Sequence, residues 1–376
     1  MILNKQDSIH ASNVFHEYFN GFKGIEDYMR RVKLERMSKF PTALPGMGPE
    51  DDMFTDFDMH PEDMDIVVQV APTEYFNDLL EITTSAPISK SVPGKGLKLF
   101  VKEKNTNKIV GMIRFGSPTI NSKPRNDFLG KPLDTQNADV MKRFNDSVIM
   151  GFAIVPTQPF GFNYIGGKLL AAICCSHLTK DLLDKKYGGP FCMFETTSLY
   201  GSSKTVSMYD GMKPFLRFKG LTESDFLPLI NDEKYLKLND WFIEKNNGEP
   251  LVHKDASSRK LKSQTKMIGI IKNSLRKHDI KEYEKFEQTI LKAKGLTERK
   301  RQFMSDYGYA NVKEYLNLET DTLVKKENYD RYSFESVVDW WKNKASRRYA
   351  SLKSDGRLRT QLETWNSNAD DIDIIR

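Results

Sequence analysis

The sequence has 376 residues and a formal net charge of +6, with 39% hydrophobic and 29% charged residues. This composition is typical of a soluble globular protein of two or three domains. No run reaches the roughly 18 apolar residues that a membrane-spanning helix needs, which excludes an integral membrane protein. We expect a cytoplasmic location, or the host cytoplasm for a phage-encoded protein, because the N-terminus lacks a secretory layout.

The three cysteines, Cys174, Cys175 and Cys192, are odd in number and lie in apolar segments. This pattern does not indicate a disulfide framework. We interpret them as small buried residues. The six histidines are scattered, so spacing predicts no metal site.

In chain order, residues 1–48 are predicted to be a helical segment and residues 49–64 an acidic linker. Residues 65–222 show an α/β pattern that begins with the strand DIVVQVAP and the helix PTEYFNDLLEITTSA. The runs LKLFVKEK and KIVGMIRFG then predict a β-hairpin around the polar turn NTN. We expect the polar residues 118–142 to form a long loop or an inserted lid.

The most informative stretch runs from Ser147 to Gly220. The strand SVIMGFAIVP, the loop GFNYIGG and the helix KLLAAICCSHLTKDLLDKKYG follow one another, and a second strand, FCMFETTSLYG, comes next. This order places backbone N–H groups at a helix N-terminus beside a strand end. Such a place suits an anionic phosphate group.

Residues 223–376 are predicted to be a basic, helical C-terminal region, in which GLTERKRQFMSDYGYANVKEYL forms two short helices. Within it, the window Lys254–Arg301 holds 15 Lys and Arg against 6 Asp and Glu. A basic segment suits DNA or another polyanion. A solvated helical face explains the same charges.

Glu195 is the candidate general base, because it ends the apolar run Phe191–Phe194 and precedes three hydroxyl residues. Partial burial raises the pKa of a carboxyl group toward a value useful for catalysis. The alternative is a structural ion pair or a cap on a backbone N–H group. The polar cluster Tyr200, Ser202, Ser203 and Lys204 follows the same strand, and it suits a phosphate, a nucleobase edge or a helix cap equally.

The element order between about Asp65 and Gly220 resembles the GNAT (N-acetyltransferase) superfamily, in which such a strand, loop and helix bind acyl-coenzyme A. The resemblance implies that acyl-coenzyme A or another phosphate-bearing donor binds at Ile154, Val155, Tyr164, Gly166, Gly167 and Lys168. It also implies that Tyr209 is the general acid for a thiolate leaving group, although tyrosines are commonly packing residues. The loop departs from the usual pattern, since Asn163 replaces Gln or Arg and Lys168 replaces a small residue.

A closer resemblance is to GNAT-like proteins of DNA modification or anti-phage defence, namely the Mom-type phage proteins and the Druantia-associated domain. The pieces FAIVP, LLAAICCSHL, KKYGGP, ETTSLYGSSK and SMYDGM carry the resemblance to the Druantia type. It implies phage or defence biology and leaves the substrate open.

The candidate nucleic-acid contacts are basic residues of the C-terminal region with one aromatic residue among them, which together suit phosphates and stacked bases. They are Lys260, Lys262, Lys266, Lys272, Arg276, Trp341, Arg347 and Arg348. Trp341 fits a packing role equally well.

We therefore expect a GNAT-like mixed α/β fold with helical additions, acting as an acyl-group transferase on or with nucleic acid. The alternative is a catalytically inactive GNAT-like binding module in a phage or defence assembly. The sequence leaves the donor, the acceptor and the oligomeric state open.

Overall fold

A computed structural model describes residues 1–38, 52–85, 94–201, 206–222, 228–256, 258–296 and 300–366. The helices are α1 (Lys5–Asn20), α2 (Ile25–Met37), α3 (Thr73–Thr83), α4 (Lys123–Leu129), α5 (Ala138–Ser147), α6 (Phe160–Asn163), α7 (Gly166–Cys174), α8 (His177–Tyr187), α9 (Asp232–Lys245), α10 (Arg259–His278), α11 (Ile280–Lys294), α12 (Val312–Leu316) and α13 (Phe334–Ser354). The strands are β1 (Ile66–Val70), β2 (Gly96–Glu103), β3 (Lys108–Gly116), β4 (Val148–Pro156), β5 (Met193–Gly201), β6 (Arg217–Leu221) and β7 (Lys300–Ser305).

The chain divides into two compact units. Unit 1 comprises residues 1–32 and 224–298, and unit 2 comprises residues 33–223 and 299–376. The second segment of unit 1 therefore lies in the sequence between β6 and β7. The domain boundaries that the sequence predicts, after residues 48, 64 and 222, stay a prediction.

Unit 1 is helical in its described residues. Met267, Ile271 and Leu275 recur every four residues along α10 and are fully buried, which is the spacing of one helix face. Phe15 of α1 and Phe286 of α11 join the same core, and their rings meet edge to face at 5.8 Å. Helices α1 and α2 lie in the segment predicted to be helical, residues 1–48, and α10 and α11 lie in the predicted basic helical region.

In its described residues, unit 2 is built on one sheet of seven strands in the order β1-β2-β3-β4-β5-β7-β6. The pair β4–β5 is parallel, and the other neighbouring pairs are antiparallel. Helices pack against this sheet, so the predicted mixed α/β class is confirmed. The predicted hairpin is also confirmed, since Leu97 of β2 pairs with Phe115 of β3 and Glu103 pairs with Lys108.

Three expectations from the sequence are wrong at the level of single elements. Lys300–Ser305 is a strand that inserts between β5 and β6, not a helix. The region 118–142 contains the helix α4 and the start of α5, so a long loop is wrong there, while the alternative of an inserted lid stays a prediction. The long helix predicted after Gly167 is broken into α7 and α8, because Ser176 starts a new helix by accepting a bond from the N–H of Thr179.

The parallel pairing of β4 and β5 is short. It extends from Val148 opposite Met193 to Gly151 opposite Thr196. Beyond these residues β4 stays paired with β3 as far as Pro156, while β5 continues beside β7. We call the place where β4 and β5 stop pairing, after Gly151 and Thr196, the β4–β5 fork.

Helix α7 packs closely on one face of the sheet. A Cβ atom at Gly111 of β3 would lie 2.5 Å from Cδ1 of Leu170, so only glycine permits this approach. Helix α13 packs against α7, and its Trp341 is fully buried beside Phe160. No helix among the described residues combines the length and apolar character needed to cross a bilayer.

Trp341 should be a major stabilising residue of unit 2. Replacement by Ala removes a large buried ring and the partner of the Tyr164 carbonyl, so we expect a loss of about 3–5 kcal/mol of unfolding free energy. Urea denaturation of Trp341→Ala measures it. Arg347→Ala, at an exposed position of the same helix, should stay within about 0.5 kcal/mol of the wild type. Equal stability of the two variants would contradict this packing role.

Candidate functional site

The candidate site begins at the turn into α7. Ile165 precedes the helix with φ of +48°, a left-handed conformation that β-branched residues rarely adopt. Its carbonyl accepts a bond from the N–H of Lys168 at 2.9 Å. Strain of this kind persists only where the surrounding packing determines the backbone, so the contacts around the turn are part of its geometry.

Side chains of the protein lie directly against the two glycines of this turn. Gly166 and Gly167 are buried. A Cβ atom at Gly167 would lie 2.1 Å from Cε of Met208, and one at Gly166 would lie 2.7 Å from Cδ1 of Phe160. Gly166 is therefore needed for the close packing against Phe160. Met208 therefore lies against the turn to which the resemblance assigns a donor phosphate, and binding of a donor there stays a prediction.

Lys168 is directed toward the segment that carries Met208. Its ammonium group donates to the carbonyl of Asp210. The Asp210 carboxylate in turn accepts two bonds from Arg301, at 2.9 and 3.0 Å. Burial lowers the pKa of Lys168, and the positive charge of Lys344 lowers it further. This ammonium group therefore helps to hold residues 207–211 over the start of α7.

Tyr164 is a packing residue in this arrangement. Its ring stacks on Tyr349 at 5.5 Å, and its hydroxyl donates to the carbonyl of Phe57 at 2.8 Å. The Tyr164 carbonyl accepts a bond of 2.8 Å from the indole N–H of Trp341. Helix α13 thus covers the loop that the resemblance assigned to the donor.

Ile154 and Val155 lie on β4 beyond the fork. Ile154 pairs with Ile113 and is nearly buried, whereas Val155 pairs with Met112 and is half-buried. On one edge, the backbone of these two residues pairs with β3. The opposite edge of the strand faces the β4–β5 fork.

Glu195 is completely enclosed. Its carboxylate accepts a 2.8 Å bond from Nη1 of Arg125 and a 3.1 Å bond from Nε2 of Gln302. Burial raises the pKa of Glu195 to about 7, although the Arg125 charge opposes this rise. The residue therefore has the pKa of a general base, but its described partners are structural groups of the protein.

Tyr209 lies on the other face of the sheet from Glu195. The Tyr209 ring meets the ring of Phe303 edge to face, and Phe303 lies directly opposite Thr196 on the neighbouring strand. Glu195 instead contacts Gln302, the neighbour of Phe303 on β7. Because successive strand residues point to opposite faces, the two predicted catalytic groups are not brought together. Burial raises the pKa of Tyr209, which disfavours its ionisation.

Of the polar cluster after β5, Ser202, Ser203 and Lys204 lie outside the described residues, as does the side chain of Tyr200. Ser198 and Ser207 are described and buried, and their hydroxyl groups bond at 3.1 Å. This bond holds residue 207 beside β5 beyond the fork. The chain after β5 therefore runs along the space that opens there.

The predicted nucleic-acid residues of unit 1 lie on or beside α10. Lys260 pairs with Asp232 at 2.7 Å and Lys272 pairs with Glu287 at 2.5 Å. Lys262 and Lys266 are exposed, and Lys266 donates to the carbonyl of Leu251. Arg276 is exposed and donates to the hydroxyl of Tyr283 at 2.6 Å.

The predicted nucleic-acid residues of unit 2 differ in exposure. Trp341 is fully buried, so its ring is not presented to a base. Arg347 is exposed, whereas Arg348 is half-buried and lies 4.8 Å from the ring centre of Phe162. Their contact with nucleic acid stays a prediction.

A separate groove of about 440 Å³ lies elsewhere in unit 2, lined in part by Asp146, Ser147 and Tyr315. Its lining residues are not among those predicted from the sequence. No group of three or more His, Cys, Asp or Glu in the described part of the chain is placed to hold a metal ion.

The sequence reasoning missed Arg125 and Gln302. Arg125 sits in the region expected to be a loop, and Gln302 sits in a segment expected to be helical. A carboxylate in an apolar strand does signal that a buried partner exists. It does not signal which residue, since the partners are 70 and 107 positions away.

Residues 58–208 match the family described as Druantia protein DruA. The matched segment is about two fifths of the chain and includes both strands of the fork, Arg125, Glu195 and Met208. It supports the Druantia part of the resemblance and suggests a phage-defence context, while the GNAT superfamily is not shown by it. No curated protein and no solved structure gives a significant match to the chain.

The pKa of Glu195 predicts a pH-dependent stability. The ordinary pKa of a Glu side chain is 4.5, and the pKa of Glu195 in the folded protein is about 7. Between these two pH values, the folded protein therefore keeps a proton on Glu195 that the unfolded chain has released. This contribution is complete below the unfolded pKa and is lost as the pH rises through the folded pKa. Between about pH 4.5 and 7, we expect the wild type to lose up to about 3 kcal/mol relative to Glu195→Gln.

Urea denaturation across this pH range measures the difference. Glu327→Gln, at an exposed carboxylate, is the control and should show no comparable pH trend relative to the wild type. A Glu195→Gln difference that does not change with pH would mean that the folded pKa of Glu195 is not raised.

Proposed function

We propose that the protein is a phage-defence protein whose sheet-containing unit is a catalytically inactive binding module and whose helix α10 contacts nucleic acid. The context comes from the match of residues 58–208 to Druantia protein DruA. The observation that supports the inactive assignment is that Cε of Met208 occupies the space beside Gly167 that a Cβ atom would need, at the turn to which the resemblance assigns the donor.

The placement of the two predicted catalytic groups also supports a binding role. A general base must lie within hydrogen-bond reach of the proton that it removes. Glu195 is instead bound by Arg125 and Gln302, and Tyr209 is on the opposite face of the sheet. Neither group is directed at a common reacting atom in this arrangement.

The charge of α10 supports a polyanionic partner. Arg259–His278 contains seven Lys and Arg and no Asp or Glu. Arg259, Lys262, Lys266 and Lys277 are exposed and recur at helical spacing along one side, and we call these four residues the α10 basic face. They span about 27 Å at 1.5 Å per residue, a length over which several phosphates of a nucleic acid can be contacted.

Acyl transfer is the second candidate function, and one observation favours it. The β4–β5 fork opens after Gly151 and Thr196, and a space between two parallel strands suits an extended donor. Met208 would have to leave Gly167 for a phosphate to bind there. Methionine side chains are flexible enough for such a change, so this candidate has its own test below.

Removal of two charges from the α10 basic face should weaken nucleic-acid binding and its salt dependence. Each phosphate contact contributes about 0.9 to the slope of log K against log salt concentration on duplex DNA. We expect Lys262→Gln combined with Lys266→Gln to reduce that slope by about 1.8. Fluorescence anisotropy with a mixed-sequence DNA duplex, titrated at several salt concentrations, measures this change.

The matched control is Lys131→Gln combined with Lys185→Gln, which removes the same charge from two exposed positions of unit 2. This control should bind DNA with the wild-type slope. Equal slopes for all three proteins would contradict the proposal that α10 is the contact surface. If the wild type does not bind DNA at low salt, nucleic acid is not its partner.

Acetyl-coenzyme A should not stabilise the wild-type protein, because Met208 lies against Gly167. A ligand that binds only the folded state raises the melting temperature by mass action, and differential scanning calorimetry with millimolar donor measures it. Met208→Ala distinguishes the candidates, since it opens the space before the turn. A clear rise in the wild type would overturn the inactive assignment and favour acyl transfer.

A further inference from the structure

Arg114 is a buried cation in the middle of the sheet of unit 2. It lies on β3, directly opposite Lys98 on β2 and Ala153 on β4. Only 2% of its surface is exposed. Its position is thus next to the stretch of β4 that leaves the β4–β5 fork.

The guanidinium group of Arg114 is not satisfied by the residues that the structure describes. Its Nε and Nη1 atoms are buried and have no hydrogen-bond partner there. These two nitrogen atoms carry three of the five N–H donors of an arginine. Burial lowers the pKa of Arg114, with no described carboxylate acting against the change.

Lys98 brings a second positive charge to the same place. Side chains directly opposite on antiparallel strands share one face of a sheet, so Lys98 and Arg114 lie side by side. This is the face opposite α7, because Gly111 faces Leu170 of α7 and Arg114 is three positions further along β3. Lys98 is partly exposed and donates to Oδ1 of Asn77 on α3 at 3.1 Å, so the pair reaches solvent at its Lys98 end.

The unsatisfied guanidinium group of Arg114 lowers stability unless an anion joins it. Like charges placed opposite each other destabilise a sheet. A buried charge without a partner is costly, and an apolar residue of similar volume at such a position is often more stabilising. Arg125 shows the contrast within the same unit, because it donates a 2.8 Å hydrogen bond to the carboxyl group of Glu195. The missing partner of Arg114 indicates a ligand.

We propose that Arg114 binds the phosphate group of a small ligand, with Lys98 beside it on the same face of the sheet. Guanidinium groups are well suited to oxyanions, because several N–H donors reach the same group in fixed geometry. A phosphate group carries close to two negative charges near neutral pH, which is sufficient to neutralise the guanidinium group of Arg114. Free phosphate and a nucleotide both present this group, and the test distinguishes them.

Isothermal titration calorimetry of the full-length protein with inorganic phosphate and with 2′-deoxyadenosine 5′-monophosphate tests the proposal. We expect binding by the wild type and a loss of about tenfold to hundredfold in Arg114→Met, the range for a hydrogen bond to a charged group. Tighter binding of the nucleotide than of phosphate assigns a nucleotide ligand. Equal or weaker binding of the nucleotide assigns free phosphate.

Two further variants keep the result interpretable. Arg114→Lys retains a cation but loses the planar donor group, and it should bind more weakly than the wild type and more tightly than Arg114→Met. Arg217→Met, at an exposed arginine of β6, should bind as the wild type does.

The melting temperature without ligand separates a binding role from a structural one. We expect Arg114→Met to melt at or above the wild-type temperature in phosphate-free buffer, and to lose the rise that phosphate produces in the wild type. No binding of either probe to the wild type, or equal binding by Arg114→Met, would overturn the proposal. A lower melting temperature of Arg114→Met without ligand would also overturn it, because it would make Arg114 a stabilising core residue.

Discussion

The short parallel pairing of β4 and β5 is the constraint on which the rest of unit 2 depends. Four residue pairs join the strands, and the strands then separate after Gly151 and Thr196. Buried backbone and apolar surface at such an opening must be covered, either by a ligand or by the protein. Here the described residues cover it with the segment that carries Met208 and Tyr209, while α13 covers the neighbouring loop.

Much of the unit could be predicted from local patterns. The alternating runs of β2 and β3, the apolar strand β4 and the glycine pair before α7 all follow from periodicity and turn chemistry. The place of β7 could not be predicted, because Lys300–Ser305 pairs with β5 across about a hundred residues. Local preference alone does not decide such pairing, since strand propensity depends strongly on context.

The residues of the candidate site also fall into two groups, those that the sequence predicts and those that it does not. The turn at Gly166 and the carboxylate at Glu195 were identified from the order of residue types, since a glycine pair and a buried acid are local signals. Their partners come from distant segments, as Met208, Arg125 and Gln302 show. Such partners determine whether a ligand or one of the protein's own side chains packs against the turn at Gly166. The sequence therefore predicts the turn and the buried acid, and it does not predict which side chains surround them.

Hydrogen exchange at the amides of Gly166 and Gly167 tests most directly whether the protein's own side chains close this turn. Both residues are buried in the described structure, and our account predicts slow exchange that acetyl-coenzyme A leaves unchanged. Nuclear magnetic resonance with a ¹⁵N-labelled protein resolves the two amides. Fast exchange that becomes slow when acetyl-coenzyme A is added would contradict the account, because it would reveal an open turn that receives the donor.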